Sequence, residues 1–432
     1  MEEYELEHTG CARQEAVLVR GGNRLCGELT VQGAKNSTLP LLAAAILCEG
    51  ETVLHNCPAL SDVHTAVTIL RRLGCRCTHT GDTLTVCADG MTRCDIPHSL
   101  MREMRSSIVF LGAILSRCGE ARLSFPGGCE LGPRPIDLHL EALRKLGAEI
   151  REEHGCLLCT APGGLRGGFV SLAFPSVGAT ENAMIAACAA EGATVIYNAA
   201  REPEIETLQS YLCALGADVS GAGSPVIRIT GFSPRSHAGL RIPPDRIAAA
   251  TYLCCTACAG GEIELTAAAP GQIVPVLDAL RTMGCAVSTH GDRIHMTAHG
   301  RPASPGAIVT RPYPGFPTDL QSLYLAAAMT LEGKSCICEN VFEDRLRTAE
   351  ELQKMGGTLQ ICGKWLTAEK SRLHGAEVVS QDLRGGAALV SAALAAEGFS
   401  TIRQTELIER GYERFPETLR ELGAKIIVEK EI

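Results

Sequence analysis

One of the chain's 21 cysteines stands apart from the rest. Cys129 lies in FPGGCELGPRPIDLH, a Gly- and Pro-rich stretch that does not read as a core face, and Arg134 follows in the same loop. A cation near a thiol favours the thiolate, which suits nucleophilic or acid/base work. A second set of reactive side chains stands just before Ala-rich apolar runs. These are Lys35 and Asn36 in GAKNSTLP, Arg105 in MRSS, Ser176 and Gly178 in PSVGATEN, Asp245 and Arg246 in PDR, Asp319 in FPTDLQ, and Asp382 and Arg384 in DLRGG. With Arg384 counted for the last, they lie 14 to 16 residues before the glycine that follows each run. Asp, Ser and Asn are ordinary helix N-caps. Lys and Arg are not, because a cation at a helix N-terminus opposes the macrodipole. Four of them in one recurring position point to an anionic ligand that compensates them, where free N–H groups also point.

The elements that must position these residues form a repeat. The phrase Leu-Gly or Met-Gly closes an amphipathic segment six times, at Gly74, Gly147, Gly216, Gly284, Gly356 and Gly423. Successive separations are 73, 69, 68, 72 and 67 residues, regular enough to define repeated units. Within each unit an Ala-rich run reads as a buried helix. A glycine follows it (Gly50, Gly119, Gly192, Gly261, Gly333 or Gly398) and reads as the helix C-cap. A strand, an amphipathic helix and a short hairpin such as CRCTHTGDTLTVCA come next. Strand–helix–strand order predicts an α/β fold of mixed sheets covered by helices.

Six units exceed one core, so two domains of three units are expected, with the break near Pro243-Pro244. The strand-like segment VLVRGGNRLCGELTVQG before unit one has a natural partner in unit six, which lacks its full hairpin. The expected division is 16–34 with 244–432 as one discontinuous domain, 35–243 as the other, and 1–15 as a disordered acidic tail. Unit two is the longest between its two marker glycines, 28 residues against 23 to 25 elsewhere, and its extra residues are the Cys129 loop. An inserted loop in a repeat is a functional candidate.

Composition narrows the function. The chain has 432 residues and a net charge of −9, with no Lys/Arg run, so nucleic acid and anionic membranes are poor partners. An apolar run of the roughly 20 residues needed to span a bilayer is absent from the sequence. The opening MEEYELEHTG is acidic and carries no apolar core, so a reducing cytoplasm and free thiols are expected. Close cysteine pairs such as Cys75/Cys77, Cys156/Cys159, Cys254/Cys255/Cys258 and Cys336/Cys338 lie in core-like segments and read as small hydrophobes, not metal ligands. No metal and no other cofactor is expected.

In order along the chain, GAKNSTLP, PGGCELGPRPIDLH, PSVGATEN, REPEIE, PGFPTDLQ, FEDR, DLRGGAALV and ERGYER closely resemble the UDP-N-acetylglucosamine enolpyruvyl transferase family. The resemblance runs from about Val17 to the C-terminus, and PGGC with RPxDLH is its most specific part. It implies two inside-out α/β barrel-like domains, each of three βαβαββ units, around an interdomain cleft, with a mobile Cys129 loop on the domain 35–243. It implies transfer of the enolpyruvyl group of phosphoenolpyruvate to the 3′-hydroxyl of UDP-N-acetylglucosamine, with release of phosphate and no metal. That reaction opens peptidoglycan precursor synthesis, and a monomer is expected.

Matched motif by motif, Cys129 would be the proton donor, would carry a covalent adduct, and would be the target of fosfomycin. Asp319 would be the base. Lys35, Asn36, Arg134, Arg345, Asp382, Arg384 and Arg410 would hold phosphoenolpyruvate, Lys35 and Arg410 with catalytic weight. Arg105, Arg134, Pro135, Ile136, Asp137, Leu138, Ser176, Val177, Gly178, Asp319 and Val341 would hold the nucleotide sugar. The chain departs from the family at Phe174, where many relatives have Lys, and at Val109 and Ala248. The sister enzyme of the shikimate pathway lacks the PGGC loop and the uridine motif. A non-catalytic nucleotide-sugar-binding paralogue would have no need of Cys129, Asp319, Lys35 and Arg410 together.

Overall fold

The computed structural model describes residues 15–125, 136–231, 237–298, 304 and 306–430. The acidic opening segment and the loop bearing Cys129 fall outside them. Among the described residues, six four-stranded sheets are built on one plan. In unit two, a short strand Asp95–Ile96 runs parallel to Glu120–Ser124, which pairs antiparallel with Cys156–Thr160, and that strand with Glu149–Glu153. Between the two parallel strands lies the Ala-rich helix Phe110–Cys118, and before the hairpin lies the amphipathic helix Asp137–Lys145.

Three sheets borrow a strand from elsewhere in the chain. Unit one is completed by His237–Arg241, parallel to Glu51–His55. Unit four is completed by Leu25–Thr30, parallel to Gly261–Thr266. In unit six, Glu15–Arg20 sits between Phe399–Arg403 and Lys425–Lys430, antiparallel to both. Each exchange brings distant parts of the sequence into one sheet.

The helices lie inside and the sheets outside. Strands such as Glu51–His55, Ala193–Tyr197 and Trp365–Glu369 alternate a buried and a wetter residue, the pattern of a sheet covered on one face. The helices Lys35–Ala44, Val177–Cys188, Arg246–Ala259 and Leu383–Ala395 are buried on almost every side, so they form the centres. Small residues permit the approach: Gly112 donates its N–H to Asn182 Oδ1 at 2.6 Å, and an added Cβ would collide with the same oxygen. The buried apolar residues form two clusters. One spans Ala34 to Ile242, and the other takes Val17 to Val31 and Ile247 to Ile426.

The six recurring glycines all adopt left-handed φ, from +89° at Gly356 to +110° at Gly216. Each ends an amphipathic helix where a Cβ would be strained, which explains the phrase. The glycines after the Ala-rich helices differ from expectation. Gly119 is a C-cap, but Gly192, Gly333 and Gly398 have positive φ several residues after their helices end, at the turn into the next strand. Gly261 already belongs to its strand, and Gly50 is not among the positive-φ glycines. The Ala-rich runs finish in 3-10 or irregular turns, so the bend falls on the strand side.

The cysteine clusters are packing residues. Burial pushes the Cys75 thiol up to about 12 and the Cys258 thiol likewise to about 12. They stay protonated and inert. Among the described residues, no helix is long and apolar enough to cross a membrane.

Candidate functional site

The starts of the central helices meet where the two clusters adjoin. Helix Lys35–Ala44 has no side-chain cap of its own. Its first N–H, on Lys35, donates to Asp245 Oδ2 at 3.2 Å. Asp245 Oδ1 also accepts from Ile247 and Ala248, at 2.8 and 2.9 Å, as the N-cap of Arg246–Ala259. One carboxylate thus ties together two helix starts, one from each cluster. Asn36 stands half-buried beside Lys35 on the first turn.

Asp62, in the first turn of helix Ser61–Leu73, gathers two cations. Lys35 Nζ lies 3.1 Å from Oδ2 and Arg410 Nε 2.8 Å from Oδ1. Burial would raise the Asp62 carboxyl, but Lys35 and Arg410 outweigh it and hold it below its usual range. Burial lowers the Lys35 ammonium, with Arg384 and Arg410 adding to the effect against the pull of Asp62. That lysine is held near other cations, with Asp62 as its counter-charge.

Asp319 gathers a second pair. Arg345 Nη2 lies 3.0 Å from Oδ1 and Arg384 Nε 3.5 Å from the same oxygen. Burial works against the charge, yet Arg345 and Arg384 hold the Asp319 carboxyl far below the ordinary range. Asp382 caps helix Leu383–Ala395, accepting from the N–H groups of Arg384 and Gly385 at 2.8 and 2.9 Å. Its carboxylate fixes the turn from which Arg384 projects. Arg384 lies over the Tyr412 ring at 5.1 Å and is 3% exposed, yet its Nη1 is buried without a hydrogen-bond partner. Arg345 Nε is likewise buried and unpartnered. A buried guanidinium with unused donors is costly, and oxygens of an anion would satisfy it.

Ser176 Oγ caps helix Val177–Cys188, accepting from the Ala179 N–H at 3.4 Å. Val177 and Gly178 occupy the first turn, where free N–H groups favour negative charge. A Cβ on Gly178 would stand 3.0 Å from His139 Cε1, so this turn abuts the helix that begins at Asp137. Ile136, exposed Asp137 and Leu138 therefore lie close to Ser176–Gly178. His139 Nδ1 pairs with the Asn182 amide at 3.1 Å, and burial lowers its pKa to about 4. It is a neutral packing residue. Val341 donates its N–H to Glu339 Oε1 at 2.7 Å on the chain leading to Arg345. Phe174 is exposed, whereas Val109 and Ala248 are buried in their helices. Cys129, Arg134 and Pro135 lie outside the described residues, as does the side chain of Arg105.

One inference from sequence needs correction. Arg246 at a helix start does not await a ligand anion. Glu204 binds it through two contacts, 3.0 and 3.3 Å, and both side chains are buried. Lys35 is likewise matched by Asp62. Carboxylates from neighbouring elements supply much of the compensation attributed to a ligand, and among the described residues Arg384 keeps a buried donor, Nη1, without a partner. Asp62, Glu204 and Glu339 are site residues that sequence reasoning missed. Nothing local marks Asp62, since an acid in a helix first turn is ordinary. REPEIE, which holds Glu204, was singled out as a motif without a role.

A family model described as EPSP synthase (3-phosphoshikimate 1-carboxyvinyltransferase) matches residues 19–419. The chain is 45% identical over 410 residues to UDP-N-acetylglucosamine 1-carboxyvinyltransferase 2 of Caldanaerobacter subterraneus, covering 95% of this chain and 98% of that one. It is 46% identical over 419 residues to UDP-N-acetylglucosamine 1-carboxyvinyltransferase 1 of Symbiobacterium thermophilum, covering 95% of each. The fold matches the crystal structure of the enolpyruvyl transferase NikO from Streptomyces tendae with a TM-score of 0.88 at 26% identity, over 97% of this chain and 100% of that one. EPSP synthase from Acinetobacter baumannii shares the fold, with a TM-score of 0.74 at 21% identity over 96% of this chain and 100% of that one. The chain belongs to the enolpyruvyl transferases and, among them, to the UDP-N-acetylglucosamine 1-carboxyvinyltransferase family.

Proposed function

We propose that the chain transfers the enolpyruvyl group of phosphoenolpyruvate to the 3′-hydroxyl of UDP-N-acetylglucosamine and releases phosphate, the first committed step of peptidoglycan precursor synthesis. The observation that carries this reading is the meeting of Lys35, Arg345, Arg384 and Arg410 around Asp319 and Asp62, with buried donors unmet on two of the arginines. Phosphoenolpyruvate brings a phosphate and a carboxylate, which bidentate guanidinium groups suit.

In the addition step the sugar 3′-oxygen bonds to C2 of phosphoenolpyruvate and its proton passes to Asp319. Cys129 delivers a proton to the C3 methylene, which becomes a methyl group. The product is a tetrahedral ketal. In the elimination step the methyl group returns a proton to the Cys129 thiolate, the C2–O bond breaks with its electron pair leaving on phosphate, which takes the proton held by Asp319, and the double bond re-forms. Lys35, Arg384 and Arg410 stabilise charge that grows on phosphate and carboxylate. The cations around Asp319 make it a weak base while the site holds no anion. When phosphoenolpyruvate takes up the donors of Arg345 and Arg384, their pull on Asp319 is shared, and its basicity recovers as the substrate arrives. Ser176, Val177 and Gly178 take the diphosphate at a helix start, and Arg134 through Leu138 take the uridine.

The test is phosphate release by the purified, reduced protein. Release from phosphoenolpyruvate that requires UDP-N-acetylglucosamine is expected. No release would overturn the reading in favour of a non-catalytic binding protein, and release with shikimate 3-phosphate in its place would assign the chain to the sister reaction.

A further inference from the structure

Glu339 follows the strand Lys334–Cys338, and its side chain is almost wholly buried without a formal counter-charge in contact among the described residues. A buried carboxylate persists where hydrogen bonds replace water. Four do so here. Oε1 accepts from Thr310 Oγ1 at 2.9 Å, from the Val341 N–H at 2.7 Å and from the Phe342 N–H at 3.1 Å. Oε2 accepts from Thr318 Oγ1 at 2.9 Å. These donors come from two separate segments. Thr310 and Thr318 flank the turn that ends at Asp319, while Val341 and Phe342 open the turn that ends at Arg345.

The chain of contacts continues into the site. Thr318 Oγ1 spends its proton on Glu339, so its lone pairs are free for Arg345 Nη1 at 3.3 Å. The other end of that guanidinium, Nη2, reaches Asp319 Oδ1 at 3.0 Å. The Arg345 guanidinium also lies over the Phe342 ring at 5.2 Å. Glu339 thus sets the direction of the Thr318 hydroxyl, the hydroxyl fixes one edge of Arg345, and the other edge meets the carboxylate.

We infer that Glu339 is a positioning residue that locks the Asp319 and Arg345 turns in register through Thr318, so that base and phosphoenolpyruvate clamp keep their spacing. This rests on the functional reading above. Glu339 touches neither substrate, and it acts through its neighbours. Glu339→Gln keeps the shape but turns an amide N–H toward Thr318, so the hydroxyl must accept there, and its proton, no longer held by Glu339, is free to turn toward Arg345 and weaken that contact. Thr318→Val removes the relay hydroxyl at nearly constant volume, while Thr318→Ser retains it.

The experiment is steady-state phosphate release by the full chain with both substrates varied, beside unfolding midpoints. Thr318→Val and Glu339→Gln are expected to lower kcat by about tenfold or more with each KM within about threefold, because a small misplacement near reacting groups is costly. Thr318→Ser should restore most of the rate. A structural role alone would move the unfolding midpoint and leave kcat of the folded fraction intact. Should Glu339→Gln fail to fold, Thr318→Val and Thr318→Ser still decide. An active wild type whose Thr318→Val variant turns over normally, or whose rate Ser does not restore, overturns the inference alone. A wild type that releases no phosphate overturns the functional reading and the inference with it.

Discussion

Asp62 and Asp319 are two carboxylates in the same surroundings, each held between two cations, and they are put to different ends. Asp62 uses both oxygens, one on Lys35 and one on Arg410, and its side chain is 4% exposed. Among the described residues, Asp319 makes both contacts through Oδ1, and it is 29% exposed. A saturated, buried carboxylate is scaffold: it fixes two cations from different parts of the fold at a set distance. A carboxylate with one oxygen left over is available for a proton. Cation count and sign are alike at the two sites, so exposure and the spare oxygen make the difference.

The largest effect that would break this contrast is on turnover. Asp319→Asn should lower kcat of the folded protein by about a thousandfold, within the range that general bases contribute. Equal losses in Asp319→Asn and Asp62→Asn would erase the distinction.

Asp62→Asn should act on stability, costing about 3 kcal/mol in denaturant unfolding, because it leaves Lys35 buried without its counter-charge. The pH dependence has a defined sign. The folded-state pKa of Asp62 lies below its unfolded value of about 3.9. The stabilisation is therefore complete above that value and is lost as pH falls through the folded pKa. The acid unfolding of Asp62→Asn should lack this component, as unfolding curves below about pH 4 would show.

A parallel contrast separates Cys129 from the core cysteines. Fosfomycin should add one covalent mass to the peptide bearing Cys129 and leave buried thiols such as Cys75 and Cys258 untouched. Uniform labelling would show that Cys129 has no special activation, and an adduct that survives in Cys129→Asp would place the nucleophile elsewhere. The smallest effect is at Gly178. Its Cβ would press on His139, so Gly178→Ala should cost about 1 kcal/mol of stability and raise KM for UDP-N-acetylglucosamine more than KM for phosphoenolpyruvate.

What the sequence made legible was whatever broke its own repeat. Six units, their helix and strand order and the positions of Lys35, Asp319 and Arg384 follow from comparing copies of one element. Partners were not legible. Asp62 is one acid among the first-turn acids of amphipathic helices, and its meaning appears when Arg410, distant in sequence, is brought against it. Glu339 depends on two turns converging on one buried carboxylate, which no spacing records. Arg246 looks along the chain like a cation in search of a ligand because Glu204, on another helix, faces it only in the fold. Gly119 caps its helix, but the helices before Gly192, Gly333 and Gly398 end about a turn earlier than those glycines suggest, since a buried helix packed on all sides can end without a glycine cap. Local chemistry can be read along the chain, and compensation of charge requires the tertiary fold.

The account is tested most directly by product analysis of the nucleotide sugar after incubation with phosphoenolpyruvate, for wild type and Asp319→Asn side by side. It predicts that the wild type converts UDP-N-acetylglucosamine to its 3′-O-enolpyruvyl ether with one phosphate released per ether formed, and that folded Asp319→Asn yields almost none. A nucleotide sugar of unchanged mass with the wild type, or full conversion by Asp319→Asn, would contradict it.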